Sequence, residues 1–253
     1  MFKLITATWG HSEQYHLHST TLYRTFTKYN GSKDIVNFHF NRGHFNELEH
    51  KYHETFGTQS EFILYKIDLL REKVKSLDTK YVIFCDANDV TVTTTIDNNL
   101  FDLFDLDNKV VFSGERNDWP KDHMVAHWPN YKGYNEWDRA NRMFLNSGVQ
   151  LAKKEVYLAL LDSCVQEVWE NKLTGYGGDQ GVFTWHYNMN NCPAIQLDTA
   201  CNFALSTYDS DITQYYCYKD RVINSKTGTK PIFIHDNGSN YGGKMFAKNF
   251  GLV

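Results

Sequence analysis

Apolar residues in this chain recur in two rhythms. Short continuous runs such as YVIFC at 81–85 and KVVFS at 109–113 show no polar alternation, as expected of strands covered on both faces. Further strands are expected at FKLITATW (2–9), at 35–40, at FLNSGVQLA (144–152), near AIQL and at PIFIH (231–235). The second rhythm is helical. In SEFILYKIDLLREKVKSL, Ile63, Ile67, Leu70, Val74 and Leu77 fall on one face, with Ser60 as N-cap and basic residues late. KEVYLALLDSCVQEVWE reads as a second long helix, a short one is expected around Ile96 to Phe104, and Ser12 is placed to cap one running to about Lys28. Strands alternating with helices predict an α/β domain with a mostly parallel sheet and helices on both faces. Such a sheet binds ligands at the carboxyl ends of its strands.

Beyond residue 113 the pattern loosens. Residues 114–143 are polar and aromatic, the stretch after AIQL reads as a tyrosine-rich loop, and the tail carries four glycines after PIFIH. Aromatic content of 15% is high, and aromatic residues in polar stretches such as 117–142 suit sites for sugars or bases. With 253 residues, the whole chain (1–253) is expected to form one domain. No apolar run approaches the roughly 18 residues of a membrane span, and MFKLITATWG lacks the pattern of a signal peptide, so a cytoplasmic location is expected. The five cysteines form no C-x-x-C pair and are expected to be free thiols. A formal charge of −4 argues against a broad phosphate-binding surface.

The candidate chemistry begins with Asp86 and Asp89, which directly follow YVIFC at the carboxyl end of a strand. Two neighbouring carboxylates repel unless a proton or cation lies between them, and hard divalent ions favour oxygen ligands. Another apolar strand ends in FIHDNGS, where His235 offers an imidazole and the amides of Asn237 and Gly238 can approach a phosphate. FLNSG places Asn146 and Ser147 where hydrogen bonds to hydroxyls are natural, and GYGGDQGVF leaves Asp179 among glycines before a helix.

In this order, the landmarks FCDANDV, FSGERNDWP, FLNSG, GGDQGVFT and PIFIHDNG resemble the glycosyltransferase domain of collagen lysyl hydroxylases, a sugar-transferring domain of the GT-A fold. The similarity spans nearly the whole chain. It implies that Asp86, Asp89 and His235 hold Mn²⁺ (or Mg²⁺) against the diphosphate of a UDP-sugar donor. It places Asn237, Gly238, Lys66 and Lys244 toward the phosphates, and Thr6 and Thr8 toward the nucleoside. Asp179 is implied as a base or an anchor for sugar hydroxyls. Glu115 and Trp119 belong on the acceptor side, and Asn146, Ser147 and Gln180 among the substrate contacts. Three positions depart from the family pattern: Asn88 stands where the family stacks an aromatic ring on the base, Gly178 replaces the first of two paired acids, and Lys244 comes late after the histidine.

The expected activity is therefore metal-dependent transfer of a hexose or pentose from a UDP-sugar to a hydroxyl of a glycan, a protein or a hydroxylated base in DNA. Two alternatives remain at this point. One is a nucleotide-sugar or glycan binder without turnover. The other is a metal-dependent phosphoester hydrolase using Asp86, Asp89 and some of the histidines at 11, 16, 18, 44, 50 and 53. His16 and His18 would sit about 200° apart on a helix and would not share an ion.

Overall fold

Strand β3 (Tyr81–Asp86) shows why the apolar runs lack alternation. Val82 and Phe84 enter one core and Ile83 and Cys85 the other, so every central side chain is buried. Burying each such side chain contributes about 1.5–3 kcal/mol. A computed structural model of the chain describes residues 1–9, 17–40, 60–119, 138, 140–171, 178–189, 194–208, 210, 212–219, 221–237 and 251. The strands include β1 (Phe2–Trp9), β2 (Ile35–Phe40), β4 (Val90–Val92), β5 (Val110–Glu115), β6 (Phe144–Lys153) and β7 (Ile195–Asp198). They continue with β8 (Ala204–Ser206), β9 (Tyr215–Tyr218), β10 (Arg221–Asn224) and β11 (Phe233–His235). The helices include α1 (Thr21–Asn30), α2 (Ser60–Ser76), α3 (Asn99–Asp102), α4 (Lys154–Asn171) and α5 (Gly178–Met189).

The central sheet has the order β2-β1-β3-β6-β5-β7. Its pairs are parallel except for the two made by β6, which runs against both neighbours, so the sheet is mostly parallel as expected. One face is covered by α2, α4 and α5 through Ile67, Leu70, Tyr157, Leu161 and Phe183. The other is covered by α1, α3 and a small sheet ordered β4-β11-β8.

Two elements differ from expectation. The helix expected up to about Lys28 is broken at Thr20: residues 17–19 are helical and α1 starts anew at Thr21. Thr20 is extended (φ −71°, ψ 149°) and its Oγ1 accepts the N–H of Tyr23, so the chain caps there. Residues 11–16 lie outside the described residues. The tyrosine-rich stretch is not merely a loop: β9 and β10 pair antiparallel, with Tyr215 buried and Tyr216, Cys217 and Tyr218 exposed. Cys85, Cys164, Cys201 and Cys217 are free thiols, and Cys192 lies outside the described residues. No described helix is long and apolar enough to cross a membrane.

Candidate active site

The loop between β3 and β4 carries Asp86 and Asp89 and is tied down on two sides. The N–H of Leu22 in α1 reaches the Ala87 carbonyl at 3.3 Å, and the Asp236 N–H reaches the Asp89 carbonyl at 2.8 Å. Antiparallel pairing of β4 with β11 sets Val90 opposite His235, which brings the imidazole to the two carboxylates. Its Nε2 lies 3.7 Å from Asp86 Oδ2 and 3.4 Å from Asp89 Oδ2. One ligand atom from each of the three residues falls within 4.8 Å of the others, a spacing one cation can bridge.

The ring orientation of His235 is set by Asn146. Asn146 Oδ1 accepts the backbone N–H of Gly148 at 3.0 Å and lies 2.8 Å from His235 Nδ1. An amide oxygen only accepts, so Nδ1 carries a proton and Nε2 is the ring nitrogen that faces the carboxylates. Gly148 makes room for the ring: a Cβ there would stand 2.1 Å from His235 Cε1. Burial opposes protonation of His235, but Asp89 and Asp86 outweigh it and hold the imidazole above its ordinary range. Burial also raises Asp86, more than Lys66 and His235 lower it. Burial would raise Asp89 as well, but its contact with His235 brings it below the usual range.

Behind Asn146 lies a chain of fixed amides. Gln180, near the start of α5, accepts the Ser147 N–H at 3.3 Å and donates to Glu115 Oε1 at 2.7 Å and to the Trp119 carbonyl at 3.3 Å. Its Oε1 also lies 3.5 Å from Asn146 Nδ2, which orients both amides. Glu115 is fully buried at the end of β5, where Asn237 Nδ2 donates to it at 2.6 Å and Ser206 Oγ lies 3.3 Å away. Burial pushes its carboxyl above the ordinary range despite these donors.

Lys66 is not the solvated helix lysine that its amphipathic setting suggests. Its Nζ donates to Asp179 Oδ2 at 2.8 Å and lies 3.6 Å from Asp86 Oδ1, above the ring of Phe84. Burial lowers its pKa, but Asp179 and Asp86 together hold it well above the ordinary lysine range, so it is a permanent cation.

A cavity of about 410 Å³ opens over these groups, lined by Asp86, Asp89, Trp119, Gln180, Tyr208 and His235 among others. Trp119 is 38% exposed at its rim, and Asn88 is exposed between the two aspartates. Ser147 is buried and enters the network through its backbone N–H. Thr6 does not fit the nucleoside role through its side chain: it is fully buried and its Oγ1 donates to the Cys85 carbonyl at 2.7 Å. Thr8 is buried beside Asn37, with a 2.9 Å hydrogen bond between the side chains. The side chain of Asn237 turns to Glu115, Ser206 and the N–H of Tyr208. Gly238 and Lys244 lie outside the described residues, as do the histidines at 11, 16, 44, 50 and 53. His18 is exposed, stacks on Tyr23 and takes no part in the cluster. Sequence reasoning missed Gly148, Ser206 and Tyr208; only the glycine inside an otherwise bulky strand carried a signal.

Known proteins resemble this chain in sequence and in fold. The chain is 31% identical over 113 residues to procollagen-lysine,2-oxoglutarate 5-dioxygenase of Drosophila melanogaster, covering 43% of this chain and 15% of that protein. It is 26% identical over 178 residues to the uncharacterized protein R699 of Acanthamoeba polyphaga mimivirus, covering 68% of this chain and 35% of that one. The chain thus aligns with about a third or less of the length of either relative. Among solved structures, mouse xyloside xylosyltransferase 1 superimposes with a TM-score of 0.55 at 13% identity, over 93% of this chain and 97% of that one. A glycosyltransferase involved in glycosylation of the major capsid of PBCV-1 gives 0.53, also at 13% identity, over 100% and 99%. These two likenesses establish the fold. The profile of the PLOD GT domain family matches residues 24–243, and this chain therefore belongs to that family of glycosyltransferase domains.

Proposed function

We propose that the protein transfers a sugar from a UDP-sugar to a hydroxyl acceptor, with Mn²⁺ or Mg²⁺ held by Asp86, Asp89 and His235, and that residues 1–253 act as one domain. The observation that carries this reading is the ring orientation set by Asn146, which directs Nε2 of a buried histidine at two carboxylates. Two carboxylate oxygens and one neutral imidazole nitrogen suit a cation of this class. When bound, such an ion stabilises charge on the departing diphosphate.

The remaining roles fall to the chain's own groups. Lys66, a permanent cation 3.6 Å from Asp86, adds positive charge where the diphosphate lies and fixes Asp179. Asp179 keeps its second oxygen for sugar hydroxyls; held by the lysine, it serves as an anchor more readily than as a base. Trp119 offers an indole face at the rim for a sugar ring. Glu115 and Gln180 act through others: they hold Asn146 and the Trp119 backbone in place. Asn88, exposed between the two ligands, is the position facing the base.

Calorimetry with UDP should show binding that requires Mn²⁺ and disappears in Asp89→Ala. With UDP-glucose, UDP-galactose or a UDP-pentose, the wild type should release UDP slowly even without an acceptor. Absence of UDP binding with Mn²⁺ present would overturn the proposal. A second reading, a nucleotide-sugar binder without turnover, is favoured by the pairing of Asp179 with Lys66, which occupies the acid at the start of α5. UDP release from any donor excludes it. Acceptor hydroxyls on glycans, peptides and hydroxymethylated DNA separate the remaining options.

A further inference from the structure

A second cavity, larger than the first at about 630 Å³, lies on the far side of Glu115. Glu115 lines the metal-facing cavity and the next residue, Arg116, lines this one, because successive side chains leave a strand end in opposite directions. Ser206 joins the two. Its Oγ contacts Glu115, and its carbonyl accepts from Arg142 Nη1 at 2.8 Å on the other side.

Among the described residues the lining holds three cations, Arg116, Arg142 and Lys226, and no carboxylate, in a chain whose formal charge is −4. Arg142 is buried, and its other hydrogen-bond partners among the described residues are neutral: Ser210 Oγ at 2.7 Å and Tyr215 Oη at 3.2 Å. Asp198 is near enough to feel Arg142, but its oxygens accept the N–H groups of Asn202, Phe203 and Ala204. Arg116 Nε is buried without a hydrogen-bond partner. A buried guanidinium donor left unsatisfied is costly, and a ligand oxygen would relieve it.

The backbone adds a separate observation. Arg142 and Cys201, both at φ 55°, line this cavity, and they are two of the three non-glycine residues described at positive φ. Strain of this kind collects at ligand sites. Gly114 permits the approach, since a Cβ there would stand 2.6 Å from the Arg142 carbonyl oxygen.

We propose that this cavity is a subsite for a small anionic ligand bearing a phosphate, sulfate or carboxylate, gripped by Arg116 and Lys226 in the field of Arg142. Its volume suits a group of sugar size, and its common wall with the metal-facing cavity suits a charged substituent of the acceptor. Only that last step rests on the glycosyltransferase reading; anion binding stands without it.

Inorganic phosphate is titrated into the metal-free protein by calorimetry. Binding should weaken by about tenfold or more in Arg116→Gln/Lys226→Gln and should persist in Asp89→Ala. Lys226→Glu, at an exposed position, should weaken it without affecting the melting temperature. Equal phosphate binding by wild type and double variant, or none by the wild type, overturns the proposal whatever UDP and Mn²⁺ do. Two arms then identify the source, and either supports the subsite. If the anion belongs to the acceptor, transfer to a phosphorylated or sulfated sugar exceeds transfer to its neutral counterpart, and the excess vanishes in the double variant. If it is a free ion, phosphate binds but no such preference appears.

Discussion

The two cavities that meet at Glu115 and Arg116 are opposite in charge and differ in how that charge is held. In and beside the metal-facing cavity, His235 is engaged by Asn146, Glu115 by Gln180 and Asn237, and Asp179 by Lys66. In the second cavity, among the described residues, Arg142 is bonded only to neutral groups and Arg116 keeps an unsatisfied donor. The first is preorganised, with donors and acceptors already facing the place a cation would take. The second is unfinished without an anion. Low net charge in the sequence therefore conceals two sharply sorted fields, one on each side of a single strand end.

The largest expected effect comes from removing the space for the histidine. Gly148→Ala places a methyl group inside the imidazole position, and Mn²⁺ affinity should fall by about 100-fold or more. The same change should cost about 1–3 kcal/mol of stability by overpacking, read from denaturant melts. Phosphate binding in the second cavity should persist.

Next in size is Asn146→Ala, which frees Nδ1 of His235 and lets the ring change tautomer. A loss of about 10–100-fold in Mn²⁺ affinity is expected by calorimetry. An unchanged affinity would show that the amide chain behind the histidine is mere packing.

Gly114→Ala sharpens the contrast from the other side. Its methyl meets the Arg142 carbonyl, so phosphate affinity should fall and stability should drop by about 1–3 kcal/mol. The accompanying change in Mn²⁺ affinity should be smaller than for Asn146→Ala. The smallest effect is expected of Lys66→Met. Without the cation beside Asp86, Mn²⁺ should bind about severalfold more tightly in the absence of donor, while UDP binding weakens. A weaker Mn²⁺ affinity in this variant would mean that Lys66 positions Asp86 rather than competing for it.

Much of the site could be read along the chain because its residues sit at the ends of apolar runs. Asp86 closes YVIFC and His235 closes PIFIH, and a sheet of this kind gathers strand ends at one edge. What the letters did not show is how side chains spend their hydrogen bonds across long separations. Asn146 reads as a contact for a substrate hydroxyl, yet its oxygen is taken by a histidine 89 positions away. Thr6 is expected near a nucleoside but its side chain turns inward to Cys85, and Lys66, expected near a phosphate, pairs with Asp179, 113 positions on. The second cavity was invisible for the same reason. Arg116, Arg142 and Lys226 share no motif, and only the packing of β5 against the Arg142 segment brings them together.

The pairing of β4 with β11 has a consequence for folding. β11 is three residues long, and its register places His235 against the start of β4, far back in the chain. A cation bridging Asp86, Asp89 and His235 would work as a reversible clasp, closing a loop of well over a hundred residues that the unfolded chain leaves open. Because the unfolded chain has no such clasp, the ion would shift the folding equilibrium by mass action. The melting temperature should climb with the logarithm of Mn²⁺ concentration, with no sugar or nucleotide present.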